Sequence, residues 1–134
     1  MKTQKDPFFI AVVDDESAVR EATESLLASV GFRAKGFGSA EDFLESQDCH
    51  QARCLILDVH LPGMSGLELP RHLTGKGLDI PIVFITAQED SDGRMQAQAL
   101  QAGALAFLRK PFGGTDLLRA VRSAVRRRAK RTKF

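Results

Sequence analysis

Four short apolar runs in the sequence each end at residues that can take part in phosphate or metal chemistry. The first run ends at Asp14-Asp15-Glu16, and the others end at Asp58, Thr86 and Lys110. If these runs are parallel strands of one sheet, their carboxyl ends lie along one edge, which is where open α/β sheets bind ligands. The sequence therefore predicts one site that combines carboxylates, a hydroxyl and an ammonium group.

This combination of groups favours phosphoryl transfer to a carboxylate. Clustered carboxylates repel one another unless a cation joins them, and hard oxygen ligands suit Mg²⁺. Lys110 adds a positive charge, and the Thr86 hydroxyl can donate a hydrogen bond to an anion. Such groups neutralise a phosphoryl group while a nucleophile, here Asp58, is held in line with it. Any one of the acids could be a solvated loop residue, and Asp15 could cap the first helix, but four compatible strand ends together favour the chemical interpretation.

The elements that position these residues follow from the hydrophobic pattern. Continuous apolar runs predict strands that are buried on both faces, and apolar residues at helical spacing predict helices between them. Five strands alternating with five helices indicate βαβ units with right-handed crossovers, hence an α/β fold with a parallel sheet covered on both faces. The predicted strands are 8–13, 33–37, 54–57, 81–85 and 104–108, with 33–37 at an edge of the sheet. The predicted helices are 17–30, one that follows Ser39, 65–73, one ending near 102, and one starting near 115.

Local signals refine these elements. Ser39 followed by Asp42 is typical of a helix N-cap. Pro70 lies inside the third predicted helix, which we therefore expect to be kinked or to start later. Cys54 opens an apolar run and is expected in the core, whereas Cys49 lies in a polar stretch and is expected to be a surface thiol.

Length and composition indicate a single globular domain with an uneven charge. The 134 residues are 43% apolar and carry a net charge of +2. Six basic residues lie near the end, and without them 13 basic and 17 acidic residues remain, a net of −4. No apolar run approaches the roughly 18 residues of a membrane helix, and the first run is too short for a signal peptide, so we expect a cytoplasmic protein that does not enter the membrane. The six residues are Arg126, Arg127, Arg128, Lys130, Arg131 and Lys133.

Four stretches of the sequence match a known family. VVDDESAVRE, CLILDVHLPGMSGLEL, PIVFITA and FLRKPF resemble the receiver domain of two-component response regulators across residues 8–125. GFRAKGFGSAEDFL together with LDVHLPGMSGLEL resembles the FixJ-type branch. The resemblance implies a single doubly wound (βα)5, flavodoxin-like domain with strand order 2-1-3-4-5. From the charge distribution we expect residues 126–134 to form a basic C-terminal tail.

The resemblance also implies a role for each site residue. Asp58 matches the phosphoacceptor, Lys110 the lysine that pairs with the phosphate, and Thr86 the switch hydroxyl. Phe107 matches the aromatic switch position. The Mg²⁺ ligands that the resemblance implies are Asp14, Asp15, Asp58 and the backbone carbonyl of His60.

The implied partners are those of a signalling switch rather than an enzyme. The phosphate donor would be a phosphohistidine on a sensor histidine kinase or a phosphotransfer protein. The output would be a downstream protein or a homodimer formed through the face made by helix 4, strand 5 and helix 5. Because no helix-turn-helix follows, we do not expect this chain to bind DNA sequence-specifically. The basic end could be a solvated helix end, the start of a linker, or a non-specific nucleic-acid contact.

Two alternatives and one departure from the family pattern stand beside this hypothesis. A degenerate receiver could serve only as an interaction module. A metal-dependent phosphatase would also use an aspartyl nucleophile. Such an enzyme needs a second acid two residues later, and this sequence has His60 at that position. The stretch from Thr86 to Gly103 is about two residues longer than is usual in the family, with the excess around 88–93. The side chains of His60 and Gln88 either influence the phosphate lifetime or are solvated loop residues.

Overall fold

A computed structural model describes residues 7–87 and 93–131, with side chains described up to Arg127. The strands are β1 (Phe9–Val13), β2 (Ala34–Phe37), β3 (Ala52–Asp58), β4 (Ile82–Thr86) and β5 (Ala106–Arg109). The α-helices are α1 (Ser17–Ser29), α2 (Ala40–Glu45), α3 (Leu69–Gly75), α4 (Arg94–Gln101) and α5 (Gly114–Arg131). Short 3₁₀ helices at Cys49–Gln51 and Gly66–Glu68 precede β3 and α3.

The five strands form one parallel sheet in the order β2-β1-β3-β4-β5. This confirms the α/β class, the strand order and the place of β2 at an edge. The register pairs Val13 with Leu57, Asp58 with Ile85, and Thr86 with Arg109, so the carboxyl ends of four strands are level. The fold thus brings together strand ends that are far apart in the sequence.

Successive residues of the central strands enter two different hydrophobic cores. In β4, Phe84 packs into the core under α2, α3 and α4, while Val83 and Ile85 pack into the core under α1 and α5. Side chains alternate across a strand, so a strand that is buried on both faces must be apolar throughout. This is why the continuous apolar runs predicted the strands correctly.

The structure settles three of the local predictions. The Ser39 hydroxyl accepts a hydrogen bond from the Asp42 N–H at 3.0 Å, which confirms the N-cap. The helix around Pro70 starts late, at Leu69, so Pro70 falls in the first turn, where its missing N–H breaks no helical bond. The prediction for Cys49 was wrong, because the 3₁₀ helix before β3 turns this residue inward and leaves it 7% exposed.

Other boundaries and the remaining predictions need only small adjustments. Cys54 is fully buried as predicted, and its burial raises the pKa of the thiol to about 12. β5 begins at Ala106 rather than at residue 104, and α5 continues to Arg131, so the first part of the basic segment is helical. Within the described ranges, no helix combines the length and the apolar character that crossing a membrane requires.

Candidate functional site

The candidate site lies at the carboxyl edge of the sheet. Asp14 directly follows β1, Asp58 is the last residue of β3, and Lys110 directly follows β5. The Lys110 N–H donates to the backbone carbonyl of Thr86 at 2.8 Å, which extends the pairing of β4 and β5 to the site. The hydrogen-bonded ends of the strands therefore fix the relative positions of these residues.

Three carboxylates come together at this edge. One carboxylate oxygen from each of Asp14, Asp15 and Asp58 lies within 4.8 Å of the others. Asp14 is fully buried and Asp58 is 5% exposed, while Asp15 is exposed to solvent. Two buried carboxylates and one exposed carboxylate therefore form an acidic cluster that solvent reaches at Asp15.

Lys110 supplies a positive charge in the middle of this group. Its Nζ lies 2.9 Å from Asp14 Oδ2 and 3.1 Å from Asp58 Oδ2. It also lies 3.2 Å from Oε1 of Glu16, which is more exposed. Burial alone would lower the pKa of Lys110, but the carboxylates of Asp14 and Asp58 outweigh this effect and raise it above its ordinary value. The ammonium group is therefore charged throughout the physiological pH range.

Asp58 is held by a different contact on each oxygen. Its Oδ1 accepts a hydrogen bond from the His60 N–H at 3.0 Å, and its Oδ2 accepts one from Lys110 Nζ. Burial raises the pKa of Asp58 above its ordinary value, the negative charge of Asp14 adds to the increase, and the contacts with His60 and Lys110 oppose it. A carboxylate in this environment gains from any further positive charge.

The donor set fits a hard divalent cation such as Mg²⁺. Asp14 Oδ2 is completely buried and, despite its short ion-pair distance to Lys110, has no correctly oriented hydrogen bond from the described residues. Lys110 supplies one positive charge beside three carboxylates, so a further cation would add charge compensation that the ammonium group does not provide alone. Mg²⁺ typically binds through one or two carboxylates and keeps several waters, which suits a pocket with one solvent-exposed ligand, Asp15.

The structure also describes the predicted site residues Thr86, Phe107 and His60, which lie at or near the ends of the same strands. Thr86 is completely buried at the end of β4. Phe107 pairs with Phe84 across β4 and β5 and packs, half-buried, against the core under α4. His60 is exposed in the loop after β3, and a role for its backbone carbonyl as a metal ligand stays a prediction. Gln88 and most of the longer loop after Thr86 lie outside the described residues.

The loop that follows Asp58 is held by hydrogen bonds within the loop and by one hydrogen bond to α2. The Val59 carbonyl accepts hydrogen bonds from the Gly66 N–H at 3.0 Å and from the Ser65 hydroxyl at 3.2 Å. The Glu41 carboxylate, from α2, accepts a hydrogen bond from the Met64 N–H at 2.8 Å. The loop that begins after Asp58 therefore folds back on the end of β3.

The sequence did not identify two contributors to the site region, and it placed a third there without a role. Arg20 Nη1 donates to the Asp14 backbone carbonyl at 2.7 Å, and the Glu41 carboxylate accepts from the Met64 N–H. Glu16 was found at the end of the first strand, but its contact with Lys110 was not predicted. Arg20 and Glu41 reach the site region only because their helices pack beside it, and no local pattern in the sequence signals this.

Comparisons with known proteins agree with this geometry. The sequence profile described as "Response regulator receiver domain" matches residues 10–122. Response regulator protein TmoT of Ectopseudomonas mendocina is 46% identical over 117 residues, which cover 87% of this chain and 52% of TmoT. Transcriptional regulatory protein FixJ of Azorhizobium caulinodans is 35% identical over 120 residues, which cover 90% of this chain and 56% of FixJ. The chain thus spans about half the length of the curated relatives that it matches.

Solved structures show the same similarity. The structure of response regulator StyR has a TM-score of 0.82 at 43% identity, covering 92% of this chain and 61% of that chain. The structure named FixJ-N has a TM-score of 0.79 at 34% identity, covering 92% of this chain and 96% of that chain. The likeness therefore extends over nearly the whole of this chain.

Proposed function

The chain belongs to the response-regulator receiver family of two-component systems, and on that basis we propose that it is a signalling switch that accepts a phosphoryl group on Asp58. The observation that carries the proposal is the cluster of Asp14, Asp15 and Asp58, whose carboxylate oxygens lie within 4.8 Å of one another. Lys110 lies among them as a fixed counter-charge. A nucleophilic carboxylate, a cation site and an ammonium group are the components that phosphoryl transfer to aspartate requires.

In the proposed reaction, an Asp58 oxygen attacks the phosphorus of a phosphohistidine. The new oxygen–phosphorus bond forms as the phosphorus–nitrogen bond breaks, and the electron pair of that bond stays on the leaving imidazole. The His60 N–H holds the carboxylate in place, since it binds one of the two oxygens. Asp58 therefore needs little reorientation before attack, which lowers the entropic part of the barrier.

Mg²⁺ would offset the negative charge of the phosphoryl oxygens. Its ligands would be Asp14, Asp15, Asp58 and the His60 carbonyl. Lys110 contributes an ammonium group that is already within hydrogen-bonding distance of Asp58. The Thr86 hydroxyl, at the end of the neighbouring strand, would donate to the phosphorylated group. The chain acts chemically only on its own aspartate, so we do not propose an enzyme with a separate substrate.

We propose that residues 8–125 form the receiver and that its partners are those of a phosphorelay. The donor would be a sensor histidine kinase or a phosphotransfer protein. The output would be a downstream protein, or a second copy, bound at the face made by α4, β5 and α5. FixJ carries the name of a transcriptional regulatory protein, and this supports an output in gene regulation.

The test is phosphorylation of the purified chain by a small phosphodonor with Mg²⁺, followed by intact mass. The wild type should gain one phosphoryl group, and Asp58→Asn should gain none, because it keeps the shape of the side chain but removes the nucleophile. Asp42→Asn, at an exposed position of α2, is the matched control and should react as the wild type does.

The other outcomes identify the alternatives. Wild-type uptake by Asp58→Asn at an unchanged rate would refute the assignment of the nucleophile. An unreactive wild type would support a degenerate receiver that serves only as an interaction module. Continuous turnover of a small phosphate ester would support a phosphatase.

A further inference from the structure

We propose that Arg20 is a positioning residue for the metal-binding carboxylates, acting through the backbone of Asp14. This inference rests on the proposed Mg²⁺ site and adds to it a residue of α1 that touches neither the metal nor the phosphate. The observation behind it is the hydrogen bond from Arg20 Nη1 to the Asp14 carbonyl oxygen at 2.7 Å.

The Asp14 carbonyl belongs to the peptide unit whose nitrogen is that of Asp15. On its other side, the Asp14 N–H donates to the Phe37 carbonyl at 3.1 Å. The Asp14 Oδ1 accepts a hydrogen bond from the Glu16 N–H at 3.0 Å. With Arg20 holding the carbonyl, the turn from Asp14 to Glu16 is therefore constrained at each of its peptide units.

Asp15 depends on this turn more than its neighbours do. Its side chain is exposed, whereas Asp14 and Asp58 are held in place by burial. The position of an exposed side chain follows mainly from the direction of its own backbone. Arg20, by fixing the peptide between Asp14 and Asp15, keeps the third carboxylate near the two buried ones.

A glycine in β2 provides the path for Arg20. A Cβ placed on Gly36 would lie 2.8 Å from both Cγ and Cδ of Arg20, and 1.8 Å from Oε2 of Glu24. Gly36 does not have a positive φ, so what it supplies is space rather than an unusual backbone. The Arg20 side chain therefore crosses β2 at the one strand position that has no side chain, and alanine there would require both Arg20 and the Glu24 carboxylate to shift.

Gly38 offers a matched comparison. A Cβ placed there would come no closer than 3.8 Å to a heavy atom, which is an ordinary contact with Arg20 Nη1. Alanine at Gly38 therefore leaves Arg20 where it is. The two glycines are two residues apart, but only one of them controls the path of the arginine.

Two effects of Arg20 on cation binding have opposite signs. Its positive charge repels Mg²⁺, while its hydrogen bond organises the ligands. Solvent at the open side of the pocket screens the repulsion. Loss of a partner that orients a metal ligand typically weakens metal affinity by about 10–100-fold. We therefore expect the positioning effect to exceed the repulsion, so that removal of Arg20 weakens Mg²⁺ binding.

The experiment measures Mg²⁺ affinity by calorimetry and by amide chemical shifts, since the chain has no Trp or Tyr to report binding by fluorescence. Arg20→Met, which keeps the length but no donor, should bind Mg²⁺ about tenfold more weakly. Arg20→Lys, which keeps a charged donor on a shorter reach, should recover part of the loss. Gly36→Ala should resemble Arg20→Met, and Gly38→Ala should resemble the wild type.

A metal-independent readout separates this inference from the proposed function. In chelator, the amide signals of Asp15 and Glu16 should move in Arg20→Met and Gly36→Ala and stay in place in Gly38→Ala. Urea unfolding of each variant shows whether an affinity change occurs in a folded protein. If the wild type and Arg20→Met bind Mg²⁺ equally, the inference is overturned while the proposed function stands. If the wild type binds no Mg²⁺, the proposed metal site fails, and the chelator spectra alone decide whether Arg20 positions Asp15.

Discussion

Asp58 carries a charge that the folded protein only partly compensates. The side chain is nearly excluded from water, yet its contacts are one N–H of His60 and an ammonium group that Asp14 and Glu16 share. Such a residue is poised to bind a cation and to react, but in the absence of a cation its ionisation costs folding free energy. Function and stability are therefore opposed at this one position.

This opposition predicts how Asp58→Asn changes stability. The pKa of Asp58 is raised by burial, so the stability that the residue contributes is complete below its unfolded pKa and is lost as the pH rises through its folded pKa. At pH 7 the ionised side chain destabilises the fold. In chelator, Asp58→Asn should therefore raise the free energy of unfolding and the melting temperature. Lys110 keeps Asp14 and Glu16 as partners in this variant, so no new unpaired charge arises.

Thermal unfolding between about pH 4 and pH 8 checks this. The advantage of Asp58→Asn should shrink as the pH falls, and Mg²⁺ should stabilise the wild type more than the variant. An advantage that grew toward low pH would show that Asp58 is stabilised as a carboxylate, contrary to the effect of its burial.

For individual residues, the sequence identified which side chains form the candidate site but not the contacts among them. Asp14, Asp58 and Lys110 could be found because each lies at the carboxyl end of a strand, and these ends of parallel strands meet. That Lys110 also pairs with Glu16, and that Asp14 Oδ2 lacks a hydrogen bond among the described residues, depends on side-chain directions that no spacing encodes. Cys49 was misplaced for the same reason, since a single 3₁₀ turn decides whether it points inward.

The loop between β3 and α3 links Asp58, the proposed phosphoacceptor, to the rest of the fold. Gly66 lies against the backbone of Asp58, and a Cβ built on Gly66 would lie 2.1 Å from the Asp58 carbonyl oxygen. The obstacle is backbone, which cannot move aside as the end of a flexible side chain can. Only glycine allows the loop to fold back this closely.

Gly66→Ala should therefore destabilise the protein and slow its phosphorylation. The expected loss is about 2 kcal/mol, a typical cost of forcing extra atoms into a packed site, measured by urea unfolding. Gly75→Ala is the control: Gly75 ends α3, has no heavy atom within 4 Å of a built Cβ, and does not have a positive φ. It should be neutral or slightly stabilising. Equal losses in the two variants would mean that the close approach at Gly66 is not what matters.

Element identity was predictable wherever burial was complete. β1, β3 and β4 were found because strands between two helical layers must be apolar on both faces. The start of α3 was left open by Pro70, since the sequence could not distinguish a kink from a delayed start. The beginning of β5 was placed two residues early because Ala104 and Leu105 are apolar without being strand residues, and hydrophobicity alone does not mark where strand pairing begins.

Across the whole molecule, β5 joins the site to a potential output surface. Lys110 follows β5 at the site, while Phe107 lies three residues earlier and packs beside α4. The exposed side of this region carries Arg94, Arg109 and Arg119. A shift of the ends of β4 and β5 toward a phosphate would therefore change the positions of residues on this face.

A beryllium fluoride phosphate mimic with Mg²⁺ should change this face and leave the exposed face of α1 comparatively unaffected. The phosphate-like anion should draw the Thr86 hydroxyl inward and give the Phe107 ring space to turn. The two states should differ by only a few kcal/mol, so the unmodified protein samples both. Amide and side-chain NMR spectra should show shifts at Thr86, Phe107 and α4. Shifts confined to the neighbourhood of Asp58 would mean that the site and this face are uncoupled.

The contact between Lys110 and Glu16 joins residues that are 94 positions apart in the chain. During synthesis, a chain that has reached only β3 already contains the aspartates, but it lacks the lysine that partly compensates their charge. That charge arrives when β5 pairs with β4, and such long-range pairing forms late because its loop entropy must be overcome first. The site would thus become able to accept a phosphoryl group only when the sheet is complete. A phosphodonor could not phosphorylate a partly synthesised chain. The onset of reactivity toward a phosphodonor would then time the last folding step of a newly made chain.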